Sequence, residues 1–225
     1  MKLIAWDFDG VLNKGHQGGF DAWQAEFEAD LGVSATVFTD FIFSDGKFNA
    51  VLNGERDLLD LLTDYTKTHA IPHAPEAVLD YWLAKDALVD TQVLGWLTAC
   101  PVQGVIATNN EHRRADYMWE TLGFKAHMAK IFASGPLGVK KPDGRFFMAI
   151  EEWSGLAPAD ILLIDDAEKN IHGASARGWQ TFHFTDETHH LRALRRFRRC
   201  GLGRHAFHRI GINGRVQRPR RVDAC

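Results

Sequence analysis

Cysteine is scarce in this chain: Cys100, Cys200 and Cys225 are widely spaced and odd in number. That pattern fits neither a disulfide framework nor a zinc cluster, so all three are read as reduced and non-catalytic. The eleven histidines fall into no metal-ligand spacing, and the pair His189-His190 is expected at the surface. No run of about 18 uncharged apolar residues is present to span a bilayer. The N-terminus runs into a strand pattern instead of a signal sequence, so a cytoplasmic protein with no membrane partner is expected. Internal repeats and long Gly/Ser linkers are also missing.

What is present is an ordinary globular composition, 45% hydrophobic and 24% charged, over 225 residues. That length suits one sizeable core carrying an insertion better than several independent domains. The net charge of −3 hides a division, because the last 34 residues carry 11 Arg and one acid, Asp223. The segment 191–225 is expected to be a poorly packed Arg-rich extension, and nucleic acid is not expected as its partner. Nothing in the sequence bears on oligomeric state.

Apolar β-rich runs recur at residues 3–6, 102–107, 130–133, 161–164 and 180–184. Helical patterns lie between them at 111–122, 143–153 and 169–177, each followed closely by Gly123, Gly155 or Gly178. Such alternation predicts an α/β fold, a Rossmann-like parallel sheet with helices on both faces. Between residues 14 and 95 the alternation gives way to helical spacing, as in Phe20, Trp23, Phe27 and Leu31. The expected organisation is a core of residues 1–13 and 96–190 with an α-helical module, 14–95, inserted after the first strand.

Polar residues at the carboxyl ends of parallel strands carry special weight, because open α/β sheets bind ligands there. Four clusters fall at or just beyond such ends: Asp7 with Asp9, Thr108-Asn109-Asn110, Lys140-Lys141-Pro142-Asp143, and Asp165-Asp166. Each has a plainer reading. Asp before Gly is ordinary turn chemistry, Thr108-Asn109-Asn110 also suits a helix N-cap, and paired lysines are usually solvated. Together, however, four converging carboxylates need a cation, and hard oxygen ligands without His or Cys suit magnesium. A metal and a lysine would let a carboxylate attack an anionic phosphoryl group.

The runs Asp7-Phe8-Asp9-Gly10-Val11-Leu12, Ala107-Thr108-Asn109-Asn110, Gly138-Val139-Lys140-Lys141-Pro142-Asp143 and Leu163-Ile164-Asp165-Asp166 resemble the four ordered motifs of the haloacid dehalogenase-like hydrolase superfamily. The resemblance spans about residues 1–185, and the helical insertion falls where one large subgroup carries its cap. It implies a magnesium-dependent phosphatase acting on a small phosphorylated metabolite, a sugar phosphate or nucleotide. Asp7 would be the nucleophile and Asp9 the acid/base. Thr108, Asn109 and Lys141 would bind substrate, and Asp7, Asp9, Asp165 and Asp166 would hold Mg2+. Lys140 and Lys141 both compete for the lysine role; Lys141 is chosen because it directly precedes the proline.

Asn170 would either orient Asp166 or face solvent. Specificity is expected near Asn13, His16, Phe43, Phe48 and Asn53. Three rival readings share the fold. A metal-independent 2-haloacid dehalogenase typically lacks an acid at the position of Asp9. A phosphosugar mutase would match Phe20-Asp21-Ala22-Trp23, but Gly19 stands where its histidine is expected. A non-catalytic binding module would not need the full set of acids.

Overall fold

The computed structural model describes residues 1–15 and 22–185, with the side chains of residues 22–25 excepted. His16, Gly19, Phe20, the Trp23 side chain, His189, His190 and the segment 191–225 lie outside the described residues. Five strands, β1 (Leu3–Trp6), β2 (Gln103–Thr108), β3 (Ile131–Ala133), β4 (Ile161–Asp165) and β5 (Gln180–His183), form one parallel sheet in the order β3-β2-β1-β4-β5. The helices are α1 (Ala22–Leu31), α2 (Ala35–Phe43), α3 (Lys47–Leu52), α4 (Leu58–Thr68), α5 (Pro75–Lys85), α6 (Thr91–Ala99), α7 (His112–Asp116), α8 (Ser134–Leu137), α9 (Gly144–Ser154) and α10 (Glu168–Ala176).

The strands read as continuous apolar runs because both faces of the sheet are covered. Side chains alternate between two clusters. Ile4, Trp6, Ile106, Leu162 and Ile164 pack with Val93, Trp96 and Leu97 of α6 and with Met118 and Phe124. On the other face, Leu3, Ala5, Val105, Ala107, Ile161 and Leu163 pack with Phe146, Phe147 and Ile150 of α9 and Ala174 of α10. The boundary expected at residue 95 therefore cuts through α6. Its Val93 lies beneath the sheet with Trp96, so the helix goes with the core as one unit. The helix expected over 111–122 is N-capped by Glu111 and widens into a π-helical turn at Tyr117–Thr121.

Helices α1 to α5 form the inserted module around their own core of Phe27, Phe38, Ile42, Leu61, Leu62, Tyr65, Val78 and Trp82. Two connections join it to the sheet and bond to each other. Lys14 N donates to Leu88 O at 2.8 Å, and Asp90 N to Leu12 O at 2.8 Å. The module also touches the core directly. Arg113 makes a bidentate pair with Asp57, the N-cap of α4, at 2.7 and 2.8 Å. Gly54, at φ +73, lies so close to the Gly135 carbonyl that a side chain at residue 54 would clash with it.

Candidate active site

β1 is the point at which strand order reverses, and its neighbours on either side are β2 and β4. Trp6 pairs with Ile164 and with Ile106, so the residues that follow leave the sheet side by side. Strand parity then sends Asp7 and Asp165 to the face shared by Leu3, Ala5, Ile161 and Leu163. Gly10, at φ +79, turns the chain out of β1 in the left-handed region. A side chain there would collide with the Asp166 carboxylate, so glycine is what lets Asp166 reach the turn.

Asp7, Asp165 and Asp166 each place a carboxylate oxygen within 4.8 Å of the others. Lys141 lies among them, fully buried. Its Nζ is 2.6 Å from Asp165 Oδ2, 3.0 Å from Asp7 Oδ2 and 2.6 Å from the Ala107 carbonyl. Burial opposes the Lys141 charge, but Asp7 and Asp165 outweigh it and raise its pKa above the ordinary lysine value. Burial pushes the Asp7 carboxyl well above the carboxylate range; Asp165 adds to that push and Lys141 works against it. Burial, followed by the Asp165 charge, also raises Asp166. Three carboxylates against one ammonium leave two negative charges unbalanced when all are ionised.

Asp9 lies in the opposite setting. Its Oδ1 accepts from Arg114 Nη2 at 2.8 Å and from Asn13 Nδ2 at 3.0 Å, and its Oδ2 accepts from Asn110 Nδ2 at 2.8 Å. Burial is the largest single influence and disfavours the charge. Arg114, Asn110 and Asn13 together overcome it and hold the carboxyl below its usual value. Asn110 Nδ2 also reaches Thr108 Oγ1 at 2.7 Å, which links Asp9 to the end of β2.

The fold thus brings Asp7, Asp9, Thr108, Lys141, Asp165 and Asp166 to one end of the sheet. Some expectations need correction. Asn109 does not offer its side chain to a substrate: its Oδ1 accepts from Lys141 N at 2.8 Å and its Nδ2 donates to Lys141 O at 3.0 Å, so it clamps the lysine backbone. Asn170 holds Asp165 instead of Asp166, donating to its two oxygens at 3.0 and 3.1 Å. Lys140 turns away from the acids to Asn49 of α3. Asn13 is a buried member of the first connection, bonded to Asp86 O at 3.0 Å, and not a surface of the inserted module. Phe43 and Phe48 stack edge to face beside Trp82. Asn53 bonds Glu55 and lines a cleft of about 490 Å³ together with Lys140 and Arg145.

Arg114 and Asp86 are site neighbours that the sequence did not reveal. Arg114 is buried against Phe8, its guanidinium carbon 5.8 Å from the ring centroid, and its Nη1 donates to Asp86 Oδ2 at 2.6 Å. The Arg113-Arg114 pair on an expected helix was the available signal, but nothing local distinguishes either from a solvated charge.

The donor set of the acid cluster fits magnesium. It is made of hard oxygens with no His or Cys among them, and its two uncompensated charges match a divalent ion. Among the described residues no helix is long and apolar enough to cross a membrane.

A family model described as haloacid dehalogenase-like hydrolase matches residues 1–178. Among solved structures, a HAD-like family hydrolase of Porphyromonas gingivalis is similar at a TM-score of 0.71 and 18% identity, over 88% of this chain and 98% of its own. A HAD family enzyme of Bacteroides thetaiotaomicron, in complex with magnesium and inorganic phosphate, gives 0.68 and 18%, over 84% and 98%. The L-2-haloacid dehalogenase of Xanthobacter autotrophicus, with chloropropionic acid covalently bound, gives 0.61 and 13%, over 93% and 87%. At these identities the likeness is one of fold.

Proposed function

The chain belongs to the haloacid dehalogenase-like hydrolase family, and from that premise we propose that it hydrolyses a small phosphoric monoester, a sugar phosphate or nucleotide, through an aspartyl phosphate on Asp7. The observation that carries this reading is the meeting of the Asp7, Asp165 and Asp166 carboxylates, the first two of them in contact with the ammonium of Lys141. The Asp7 carboxylate attacks phosphorus and the ester P–O bond breaks; Asp9, a carboxylate in the free protein, takes up a proton from solvent as substrate binds and passes it to the departing alkoxide oxygen. Asp9 then takes a proton from water, which attacks the aspartyl phosphate and releases inorganic phosphate. Lys141 and the Thr108 hydroxyl hold the phosphoryl oxygens. Asp7, Asp166, Asp165 and the Asp9 carbonyl would hold Mg2+, which supplies positive charge to the transferring group.

The inserted helices act as a cap over this end of the sheet, tied down by Arg113 and Asp57. A metal-independent dehalogenase built on the same residues would leave the two excess negative charges uncompensated, which is why hydrolysis of a phosphate ester is preferred. The Bacteroides enzyme, with its magnesium and phosphate, agrees with that preference at the level of fold. The test is phosphate release from a panel of phosphorylated metabolites with magnesium. Wild type should turn over at least one of them and Asp7→Asn none. Undiminished turnover by Asp7→Asn refutes the proposal.

A further inference from the structure

Resting on that reading, we propose that Arg114 is a positioning residue: it fixes the Asp9 carboxylate for proton transfer to the leaving group and ties that placement to the cap connections through Asp86. Arg114 is on α7, outside all four motif clusters, and it is only 9% exposed. Its Nη2 contacts Asp9 Oδ1 at 2.8 Å and the Asp86 carbonyl at 3.1 Å, while its Nη1 contacts Asp86 Oδ2 at 2.6 Å. Asp86 begins the second connection, directly after α5.

The first connection makes the same pair of contacts. Asn13 Nδ2 donates both to Asp9 Oδ1 and to Asp86 O, each at 3.0 Å. Asp9 Oδ1 is therefore held by Asn13 of the first connection and by Arg114 of α7, both of which also bond Asp86, and Oδ2 from the side of Thr108 through Asn110. A shift of the connections reaches Oδ1 directly through Asn13 and, by way of Asp86, through Arg114.

A guanidinium needed only to close the connection would be satisfied by Asp86. This one divides its nitrogens between Asp86 and the acid/base, and Phe8 supplies a flat apolar backing that limits where it can sit. The cluster is not saturated: Arg114 Nε and Asn13 Oδ1 are both buried without a hydrogen-bond partner. A purely structural knot would be expected to satisfy both. On the neighbouring position, Arg113 grips Asp57 of the cap itself, so consecutive arginines hold the cap body and the acid/base.

The leaving group provides the test. A phenolate departs without a proton and an alkoxide does not, so loss of Asp9 placement should be felt mainly by alkyl esters. With magnesium present, turnover of glycerol phosphate and of p-nitrophenyl phosphate is compared for wild type, Arg114→Met and Asp86→Asn. Arg114→Met should lower kcat for the alkyl ester at least about tenfold further than for the aryl ester, with KM little changed. Asp86→Asn, which keeps the shape and breaks the charge link, should show the same split at smaller size and serves if Arg114→Met does not fold. In an Asp9→Asn background the Arg114 substitution should change single-turnover phosphate release less than about twofold. Equal losses on both esters, or additive losses in the Asp9→Asn background, overturn the inference and leave the phosphatase reading standing. A wild type that releases phosphate from no ester overturns both.

Discussion

Asp7 and Asp9 leave the same strand end two residues apart, and their surroundings are opposite in kind. Asp7 is buried with Asp165 and Lys141, the exposed Asp166 carboxylate lies within reach of both acids, and the Asp7 carboxyl is pushed upward by burial. Asp9 meets Arg114 of α7, and this guanidinium with the carboxamides of Asn110 and Asn13 holds its carboxyl below the usual value against the penalty of burial. On the proposed function, the difference separates two jobs that identical side chains could otherwise confuse. A nucleophile can depend on an added cation, whereas an acid/base needs a fixed orientation and its own partners. The turn after β1 does the separating. On a continuing strand two residues this far apart would share a face. Here the chain leaves β1 after Trp6 and turns through Gly10, so Asp7 stays with Lys141 and Asp165 while Asp9 meets Arg114 of α7.

The comparison breaks most completely at Asp7. Asp7→Asn should lower steady-state turnover of any substrate by at least about a thousandfold, since no other group can carry the phosphoryl transfer. Chelation of divalent ions should be comparably severe in the wild type and reversed by added magnesium, while the Asp9 network, which has its own counter-charge, should need no metal to stay formed. Asp9→Asn should cost about a hundredfold or more on alkyl phosphates and clearly less on aryl phosphates. A uniform loss across the series would erase the distinction drawn between the two acids.

Lys141→Met tests the charge balance through stability. It leaves Asp7 and Asp165 buried with no ammonium, and should lower unfolding free energy by about 3 kcal/mol, measured by urea denaturation without metal. The smallest effect is expected at the cap. Asp57 is held below its ordinary carboxyl value chiefly by its hydrogen bonds from Arg113. Its contribution is therefore present at neutral pH and lost as pH falls through the folded-state value. Asp57→Asn should remove about 0.5–1 kcal/mol at pH 7 and little in acid, read as the pH dependence of urea midpoints.

Strand positions were legible because buried parallel strands are uninterrupted apolar runs: residues 3–6 are expected and Leu3–Trp6 observed, and the second strand is displaced by one residue. The helical nature of the insertion was equally plain from spacing. Paired identical residues were harder to read, and of them only the lysines carried a local cue, the proline after Lys141: Lys141 enters the acid cluster while Lys140 bonds Asn49. Asn109 clamps Lys141 while Asn110 joins Thr108 to Asp9. Arg113 holds the cap while Arg114 holds Asp9. Successive residues at strand ends and helix starts point in different directions, so which neighbour faces inward depends on where the next element packs. Arg114 and Asp86 meet only because the second connection returns beside α7, a fact of tertiary structure that no local pattern encodes. The π-helical turn after α7 was hidden for a related reason, since apolar spacing does not distinguish it from an ordinary turn.

The central claim, that Asp7 takes the phosphoryl group, is most directly tested by mixing the enzyme with magnesium and p-nitrophenyl phosphate, quenching in acid within milliseconds, and mapping peptides by mass spectrometry. The account predicts a gain of one phosphoryl group on the peptide that carries Asp7, and no gain in Asp7→Asn. A modified residue elsewhere, or turnover in wild type with no adduct at any quench time, would contradict it.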